Sequence, residues 1–311
     1  MDAAVLHEYG TPQFGTFDDP VKLTGTEIVD VTAAAISHFD LFLASGQHFL
    51  SPSQFPFVAG REGVGRLADG RRVYFAAPIS PYGSMAQQTM VASQGLIEVP
   101  DGVDDAVAAA LGNAGLAAWL PLEWRAQLIP GETVLVLGAT GIAGQLAVQA
   151  AKVLGAGRVV AAGRNADMLR RVQELGADAT VNLTTSDSLV ASYREAAQGE
   201  IDVIIDYVWG PPTEAALQAA TVGGRLVQVG TTAGNEITLK GSLIRNQSLT
   251  IFGYASGHVS LERRTTVYRH MAELAGQGRL IVPVERMPLQ QVEQAWERQR
   301  AGTRQRLVLM P

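Results

Sequence analysis

The stretch TVLVLGATGIAGQLAVQAAK, residues 133–152, decides the fold class of this chain. An apolar, partly β-branched run leads into a glycine turn, and an alanine-rich segment with helical composition follows. The turn contains a degenerate form of the phosphate-binding hexad, with alanine in the place of the first glycine: Ala139-Thr140-Gly141-Ile142-Ala143-Gly144. Gly141 and Gly144 allow close backbone approach, and the helix directs its amides at a pyrophosphate. The stretch predicts a dinucleotide site; a tight turn without a ligand is the alternative.

Strand and helix patterns alternate downstream of this unit. The predicted strands are RVVAAG (158–163), ATVNL (179–183), IDVIIDYV (201–208), RLVQVG (225–230) and LTIFGY (249–254). ADMLRRVQELG (166–176) and PTEAALQAAT (212–221) have helical patterns. Short buried runs separated by helices are typical of a parallel sheet covered on both faces. We therefore predict an α/β chain whose central domain, residues 113–254, is a doubly wound parallel sheet of the Rossmann type.

The flanking segments have a different character. Residues 1–112 contain short β-branched runs with many prolines and glycines, which predict an irregular β domain. A helix capped by an aspartate begins near Asp104. Residues 255–311 contain helices near 260–277 and 288–300 and end in RLVLMP, a strand that would rejoin the first domain and make it discontinuous.

Composition narrows the class of protein. The chain has 311 residues, 47% hydrophobic and 17% charged, with a net charge of −6 that argues against nucleic acid or an anionic membrane as main partner. Cysteine is absent, which leaves His, Asp and Glu as metal ligands. Two uncharged runs, 106–122 and 133–151, are interrupted by polar residues and favour buried elements over membrane spans. MDAAVLHEYG contains no secretory signal, so we expect a soluble cytoplasmic protein.

The end of the second predicted strand indicates which dinucleotide binds. NAD enzymes usually place an acidic residue there to bind the ribose 2′-hydroxyl. This chain instead has Gly163, which leaves room for a 2′-phosphate, followed by Arg164, whose guanidinium binds phosphate bidentately. Asn165 adds a neutral hydrogen-bonding group. The pattern favours NADPH; an ordinary exposed arginine is the alternative.

Further candidates for cofactor contacts follow the other strands. Ligands collect at the carboxyl ends of parallel strands. The residues at those ends are Val208, Gly230, Thr231, Phe252 and Gly253. Turn chemistry alone is the alternative explanation for each of them.

The whole layout resembles the medium-chain dehydrogenase/reductase superfamily, in its zinc-independent quinone oxidoreductase branch. The resemblance covers essentially the full chain and rests on the order of several motifs: AISHFDLFLASG (35–46), GREGVG (60–65), GSMAQ (83–87), GLAAW (115–119), the hexad, GGRLVQVG (223–230) and LTIFGY (249–254). It implies a GroES-like β domain followed by a Rossmann domain, with the nicotinamide in the cleft between them. It also implies pairing into a homodimer through the Rossmann domain.

The resemblance also explains the unusual motif GREGVG. In the zinc enzymes of the superfamily, the positions of Ser37 and Arg61 carry a cysteine and a histidine that bind the catalytic zinc. A cation in place of a ligand repels zinc, and this chain has no cysteine to replace the thiolate. The resemblance therefore implies a metal-free protein, whose former metal pocket would be lined by Ser37, His38, Asp40, His48 and Arg61.

Without a Lewis acid, hydride transfer requires an acceptor that is already electrophilic, such as a quinone or a conjugated enone. Ser37, His48 and Arg61 are the candidate catalytic residues. His48 is a candidate proton donor because imidazole titrates near neutrality, and an exposed loop histidine is the alternative. An enal or enoyl-thioester reductase and a non-catalytic NADPH-binding protein remain the rival functions.

Overall fold

The computed structural model describes residues 1–311 and divides them into two compact units. One unit contains Met1–Asn113 and Ser260–Pro311, and the other contains Ala114–Val259. The predicted boundaries differ from these by one residue at the first change of unit (112 against 113) and by five at the second (254 against 259).

The first part of the discontinuous unit is mainly β structure. Its elements are β1 (Asp2–Leu6), β2 (Gln13–Thr16), β3 (Thr26–Ala35), α1 (His38–Ala44), β4 (Phe57–Val58), β5 (Glu62–Arg66), β6 (Arg72–Ala76), β7 (Gln88–Ala92), β8 (Ile97–Glu98) and the start of α2 (Asp105–Leu120). Asp104 caps α2 as predicted, because its Oδ1 accepts hydrogen bonds from the amides of Ala106 and Val107. A π-helical turn, Pro121–Ala126, follows α2.

The second unit alternates strands and helices. Its elements are β9 (Thr133–Leu137), α3 (Ile142–Val153), β10 (Arg158–Gly163), α4 (Ala166–Glu174), β11 (Ala179–Asn182), α5 (Leu189–Ala197), β12 (Ile201–Asp206), α6 (Pro211–Ala219), β13 (Ala220–Gln228), α7 (Gly241–Gln247) and β14 (Thr250–Gly253). The six strands pair in the order β11-β10-β9-β12-β13-β14, and every pairing is parallel. This sheet confirms the predicted doubly wound fold.

The remaining elements return to the first unit. They are α8 (Leu261–Gly276), β15 (Val284–Pro288), α9 (Val292–Ala301) and β16 (Arg306–Met310). Strand β16 pairs antiparallel with β3 and parallel with β15, in a sheet ordered β15-β16-β3-β5-β6-β8 in which β7 also pairs with β3. A smaller sheet has the order β2-β1-β4. The last strand of the chain therefore completes the first sheet, as the sequence predicts.

One helical stretch, Asp105–Ala126, is long and apolar enough to cross a membrane, judged by length and composition alone. However, 78% of its most apolar window is buried within the protein. Burial of that kind is typical of a core helix, which is the interpretation that the polar interruptions favour.

Helix α2 bends sharply at Gly112, whose backbone is non-helical (φ −39°, ψ −111°). The bend frees the amide of Asn113, which donates to Oε2 of Glu62 at 2.7 Å. The same oxygen accepts from the Tyr74 hydroxyl at 2.8 Å, and Oε1 accepts from Arg306 Nη2 at 2.6 Å. Both side chains of the Glu62–Arg306 ion pair are almost fully buried, with 5% and 7% exposed. Glu62 thus joins β5, β6, α2 and β16 through one satisfied buried carboxylate.

Replacing Gly112 with alanine tests this joint. A Cβ at Gly112 would overlap Glu62 Oε2 and lie 2.5 Å from the Tyr74 hydroxyl. We expect Gly112→Ala to lower the free energy of unfolding by about 1–3 kcal/mol, the usual cost of overpacking a well-packed interior. Denaturant unfolding measures the change. Gly95→Ala is the matched control, because nothing lies within 4 Å of a Cβ built there. Equal losses in the two variants would contradict the role given to this joint.

Candidate functional site

The turn after β9 is built by backbone hydrogen bonds to the neighbouring strand. The amides of Gly138 and Ala139 both donate to the carbonyl of Ala162 near the end of β10, at 3.0 and 2.9 Å. Gly138 has φ +83°, a conformation that favours glycine. Gly141 then caps α3 without any side-chain hydrogen bond to the first amides of the helix. Those amides stay open to an anion, which is the arrangement that a pyrophosphate site needs.

Two further glycines of the site are required by close contacts. A Cβ at Gly144 would lie 2.6 Å from the Cα of Ala139, so this glycine lets α3 pack directly on the turn. A Cβ at Gly163 would lie 2.5 Å from Cγ2 of Thr140. The ends of β9 and β10 therefore touch at this point. The half-buried Ile142 follows on the first turn of α3.

Arg164 and Asn165 follow Gly163 but differ in their surroundings. Arg164 is exposed and takes part in no ion pair or side-chain hydrogen bond. Asn165 caps α4, and its Oδ1 accepts from the amide of Met168 at 3.0 Å. The amide oxygen of Asn165 is thus occupied by the helix, whereas the guanidinium of Arg164 is available for a ligand.

The loop after β12 is organised by Asp206, a residue that the sequence analysis missed as a site residue. Its Oδ1 accepts from the amides of Val208 and Trp209 at 2.8 and 2.9 Å, and Oδ2 accepts from the Thr213 hydroxyl at 2.8 Å. Burial raises the pKa of the Asp206 carboxyl although these hydrogen bonds act in the opposite direction. Val208 is placed against the turn, since a Cβ at Gly138 would lie 3.0 Å from its Cγ1.

The ends of β13 and β14 carry the remaining candidates. The amide of Gly230 donates to the Asp206 carbonyl at 3.2 Å, and Thr231 is exposed beside it. At the edge of the sheet, the Gly253 carbonyl accepts from Arg125 Nε at 3.0 Å, and the guanidinium lies 5.2 Å from the ring centroid of Phe252. Parallel pairing places the carboxyl ends of these strands at one edge of the sheet. Phe252 and Gly253, on the outermost strand, are the candidates furthest from the glycine turn.

In the first unit, Ser37 has a clear structural role. Its side chain caps α1 by accepting from the amide of Asp40 at 3.2 Å. In return, the amide and the hydroxyl of Ser37 both donate to Asp40 Oδ2, at 2.7 and 2.5 Å. This reciprocal capping box occupies the hydroxyl of Ser37. The geometry therefore favours a capping role for Ser37 over a catalytic one.

Asp40 lies at the wall of a small cavity. Its carboxyl is 3% exposed, and its second oxygen, Oδ1, is buried without a hydrogen-bond partner. The cavity, of about 30 Å³, is lined by Asp40 and Arg61 among mainly apolar groups that include Leu50 and Trp296. Burial raises the pKa of Asp40 to about 6, although the hydrogen bonds from Ser37 favour the ionised form.

Arg61 forms no ion pair, and Glu62 beside it pairs with Arg306. The Arg61 guanidinium instead lies 5.8 Å from the ring centroid of Phe39. The Phe39 ring also contacts His48, at a centroid distance of 5.1 Å. Arg61 and His48 are therefore linked through one phenyl ring, and His38 is exposed on the first turn of α1.

The residues present do not fit a catalytic zinc ion. No three His, Asp or Glu side chains of the chain converge in a way that could hold a metal. Ser37 is committed to capping α1, and Arg61 presents a permanent cation in the lining of the same small cavity as Asp40. A donor set of that kind offers neither the thiolate nor the neutral imidazole that zinc prefers.

Comparison with known proteins identifies relatives of this arrangement. Residues 143–275 match the family described as Zinc-binding dehydrogenase. A Quinone oxidoreductase-like protein 2 homolog of Nematostella vectensis is 30% identical over 246 residues, which cover 75% of this chain and 66% of the relative. A Mycocerosic acid synthase-like polyketide synthase of Mycobacterium tuberculosis is 27% identical over 281 residues, 85% of this chain but 13% of the relative. The chain thus spans only part of the length of these curated relatives.

A solved structure shows the same fold over the full length of the chain. The Escherichia coli quinone oxidoreductase complexed with NADPH superposes with a TM-score of 0.87 and 22% identity, covering 100% of both chains.

The buried carboxyl of Asp40 generates a prediction about stability and pH. Because this carboxyl binds its proton more tightly in the folded than in the unfolded state, its contribution to stability is lost as pH rises from about 4 to about 6. The full loss is about 3 kcal/mol. Asp40→Asn accepts the same hydrogen bonds without a charge, so we expect the variant to gain about 2–3 kcal/mol relative to wild type between pH 4 and pH 8.

Urea unfolding of both proteins at pH 4 and pH 8 measures this difference. If the stability difference between Asp40→Asn and wild type were the same at both pH values, the raised pKa of Asp40 would be contradicted.

Proposed function

We propose that the chain is a metal-free, NADPH-dependent oxidoreductase, because its relatives include quinone oxidoreductase-like proteins and its fold matches that of a quinone oxidoreductase over the full chain. In this proposal a hydride is transferred to a quinone or another activated alkene. The observation that carries it is the combination of an anion-ready glycine turn with Arg61 at the position where, by the resemblance to the zinc enzymes, a zinc ligand would stand.

The second unit supplies the proposed nucleotide contacts. The uncapped first amides of α3 would bind the pyrophosphate. Gly141, which has no side chain, would leave the N-terminus of the helix open to it. Gly163 would leave room for the 2′-phosphate, and the Arg164 guanidinium would bind it. The loop ordered by Asp206 would line the nicotinamide end of the site. When bound, NADPH would supply the hydride; this chain contributes binding and orientation.

The first unit supplies the proposed acceptor contacts. Arg61 is a permanent cation over an aromatic ring, so it can set the shape and charge of an acceptor pocket but cannot move a proton. No Lewis acid polarises the acceptor, which therefore has to be electrophilic before it binds. Quinones and conjugated enones have that property.

A panel of acceptors tests the proposed function against its rivals. NADPH oxidation is followed by absorbance with a simple quinone, with an enal and with an enoyl thioester. The proposal expects steady oxidation with the quinone. Turnover with the enal or thioester alone would favour the enal or enoyl-thioester reductase. NADPH binding without turnover of any acceptor would favour the non-catalytic binding protein.

We also propose a cytoplasmic homodimer. The edge strand β14 leaves one side of its backbone unpaired, and Ile251 on this strand is 39% exposed. An open apolar edge favours pairing with another chain. The absence of cysteine is compatible with a reducing compartment.

Ile251→Lys tests the predicted dimer by placing a charge on the open edge. We expect wild type to be dimeric at micromolar concentration in light scattering, and Ile251→Lys to shift toward the monomer. Ile129→Lys is the control, because Ile129 is an exposed isoleucine of the same unit that lies outside the sheet. A monomeric wild type would contradict the proposal.

Arg164→Ala tests the cofactor preference. A hydrogen bond to a charged group contributes roughly 1.5–3 kcal/mol, and exposure of Arg164 reduces this value. We therefore expect kcat/KM for NADPH to fall about tenfold to a hundredfold, with little change for NADH. Arg164→Lys retains the charge without the bidentate geometry. Its kcat/KM for NADPH should therefore lie between the values of wild type and Arg164→Ala. Titration of NADPH binding gives the same comparison without turnover.

Arg279→Ala is the control for Arg164, because Arg279 is likewise exposed but belongs to the first unit. Gly163→Asp is a poor test of the same preference, because its Cβ would collide with Thr140 in the turn itself. Equal loss of NADPH and NADH activity in Arg164→Ala would show that Arg164 does not recognise the 2′-phosphate.

A further inference from the structure

The imidazole of His48 lies among three phenyl rings in the segment after α1. Its ring centroid is 5.1 Å from Phe39, 5.3 Å from Phe42 and 4.4 Å from Phe49. The first two rings meet it edge-on, and Phe49 is tilted by 32°. These contacts fix the plane of a half-buried imidazole, unlike that of a free loop histidine.

A local turn determines which nitrogen carries the proton. The amide of Leu50 donates to Nδ1 of His48 at 3.1 Å. The amide of Ser51 donates to the His48 carbonyl at 2.9 Å, and the His48 amide donates to the Ser51 hydroxyl at 3.3 Å, which closes the turn. Because Nδ1 accepts a hydrogen bond, the proton of the neutral imidazole is on Nε2. Nε2 has no hydrogen-bond partner and is not among the buried unpartnered atoms, so it is open to solvent.

An apolar face adjoins this free donor. The side chain of Phe49 is 87% exposed, and Phe42 and Leu50 beside it are also exposed. The Arg61 guanidinium lies 5.8 Å from the ring centroid of Phe39, which is one of the three phenyl rings around His48. An exposed aromatic ring, that of Phe49, next to one N–H donor matches a planar conjugated ring that carries a carbonyl oxygen.

We propose that His48 is a neutral electrophilic residue whose Nε2–H donates a hydrogen bond to the acceptor's carbonyl oxygen, while the acceptor's ring lies against Phe49. This inference rests on the proposed function and names its substrate class: aryl-fused quinones and aryl enones. It also changes the role expected from sequence, because His48 keeps its proton.

The chemical step is balanced without proton transfer from His48. The hydride forms a new C–H bond at a carbon of the conjugated acceptor. The carbonyl π bond, or the carbon–carbon π bond conjugated to it, breaks, and an electron pair moves to the carbonyl oxygen. NADPH is oxidised and the acceptor is reduced. The Nε2–H bond stabilises the negative oxygen as charge develops, and solvent water then protonates that oxygen.

Nitrogen-15 NMR of His48 tests the tautomer without any turnover, with His48→Phe used to assign the signals. At pH 8 we expect a protonated Nε2 and an unprotonated Nδ1. A protonated Nδ1 would overturn the proposal. Since this readout needs neither cofactor nor acceptor, it is independent of whether the proposed function is correct.

Kinetics of His48 variants test the donor role, with 1,4-naphthoquinone as acceptor. Loss of one oxyanion donor costs about 10²–10³ in kcat in a dry site, and this open site should show about tenfold to a hundredfold in His48→Phe. His48→Gln retains an N–H donor and should recover part of kcat. His7→Phe is the control, because His7 is exposed in the same unit. Unchanged kcat in His48→Phe, or no recovery in His48→Gln, would overturn the proposal.

Phe49→Ala tests the aromatic face. We expect KM for 1,4-naphthoquinone to rise about threefold to tenfold, the size of an aromatic stacking contribution, and KM for 1,4-benzoquinone to rise less. Phe14→Ala replaces another exposed phenylalanine and should change neither value. Equal effects on both quinones would overturn the substrate class. A wild type that reduces neither quinone would overturn the proposed function, while the NMR result would still decide the tautomer.

Discussion

A single buried carboxylate, that of Glu62, supports the architecture of the first unit. It accepts hydrogen bonds from Tyr74, from the freed amide of Asn113 and from Arg306, which stands on the last strand of the chain. A buried charge without such partners would cost several kcal/mol, whereas here both carboxylate oxygens are hydrogen-bonded. The N-terminal sheet, the bend of α2 and the C-terminal strand are thus tied to one side chain. Glu62 therefore adds a polar link between the two parts of this discontinuous unit, beside the pairing of β16 with β3.

The buried position of Glu62 also explains why the GREGVG motif contains two adjacent charged residues. Its two charged residues have separate roles, because the acid is directed into the interior and the arginine is not paired with it. Arg61 instead lies against Phe39 and beside the cavity of Asp40. A structural anion and a permanent cation at adjacent positions leave no zinc site. They leave a pocket whose chemistry depends on hydrogen bonding and stacking.

The second unit could be predicted from sequence almost strand by strand, because each buried run of β-branched residues is bounded by a glycine turn or a helix with a clear pattern. The short helices α1, α5 and α7 were not predicted, although α4 and α6, which are nine residues long, were. The role of Asp206 was also missed, because its partners Val208, Trp209 and Thr213 become visible only when the loop is folded. Likewise, no spacing rule connects Glu62 with Arg306 across 244 residues.

The candidate site residues likewise divide into those needed for the backbone, which the sequence reveals, and those with side-chain roles, which it does not. Backbone requirements can be read from sequence, so Gly144 and Gly163 were identified, and the structure shows the close contacts that demand them. Side-chain roles depend on local partners. Ser37 is a helix cap, Asn165 is another, and His48 has one nitrogen occupied by an amide two residues on. Each of these partners lies within three residues of the side chain. Whether the hydrogen bond forms nevertheless depends on the conformation of the local turn, which the sequence does not show.

We propose that hydride transfer in this protein requires no metal. The most direct measurement is the rate of NADPH oxidation with a quinone before and after exhaustive dialysis against a chelator, together with elemental analysis of the same samples. We expect substoichiometric metal and an unchanged rate. Stoichiometric zinc, with activity lost on chelation and restored by zinc, would contradict it.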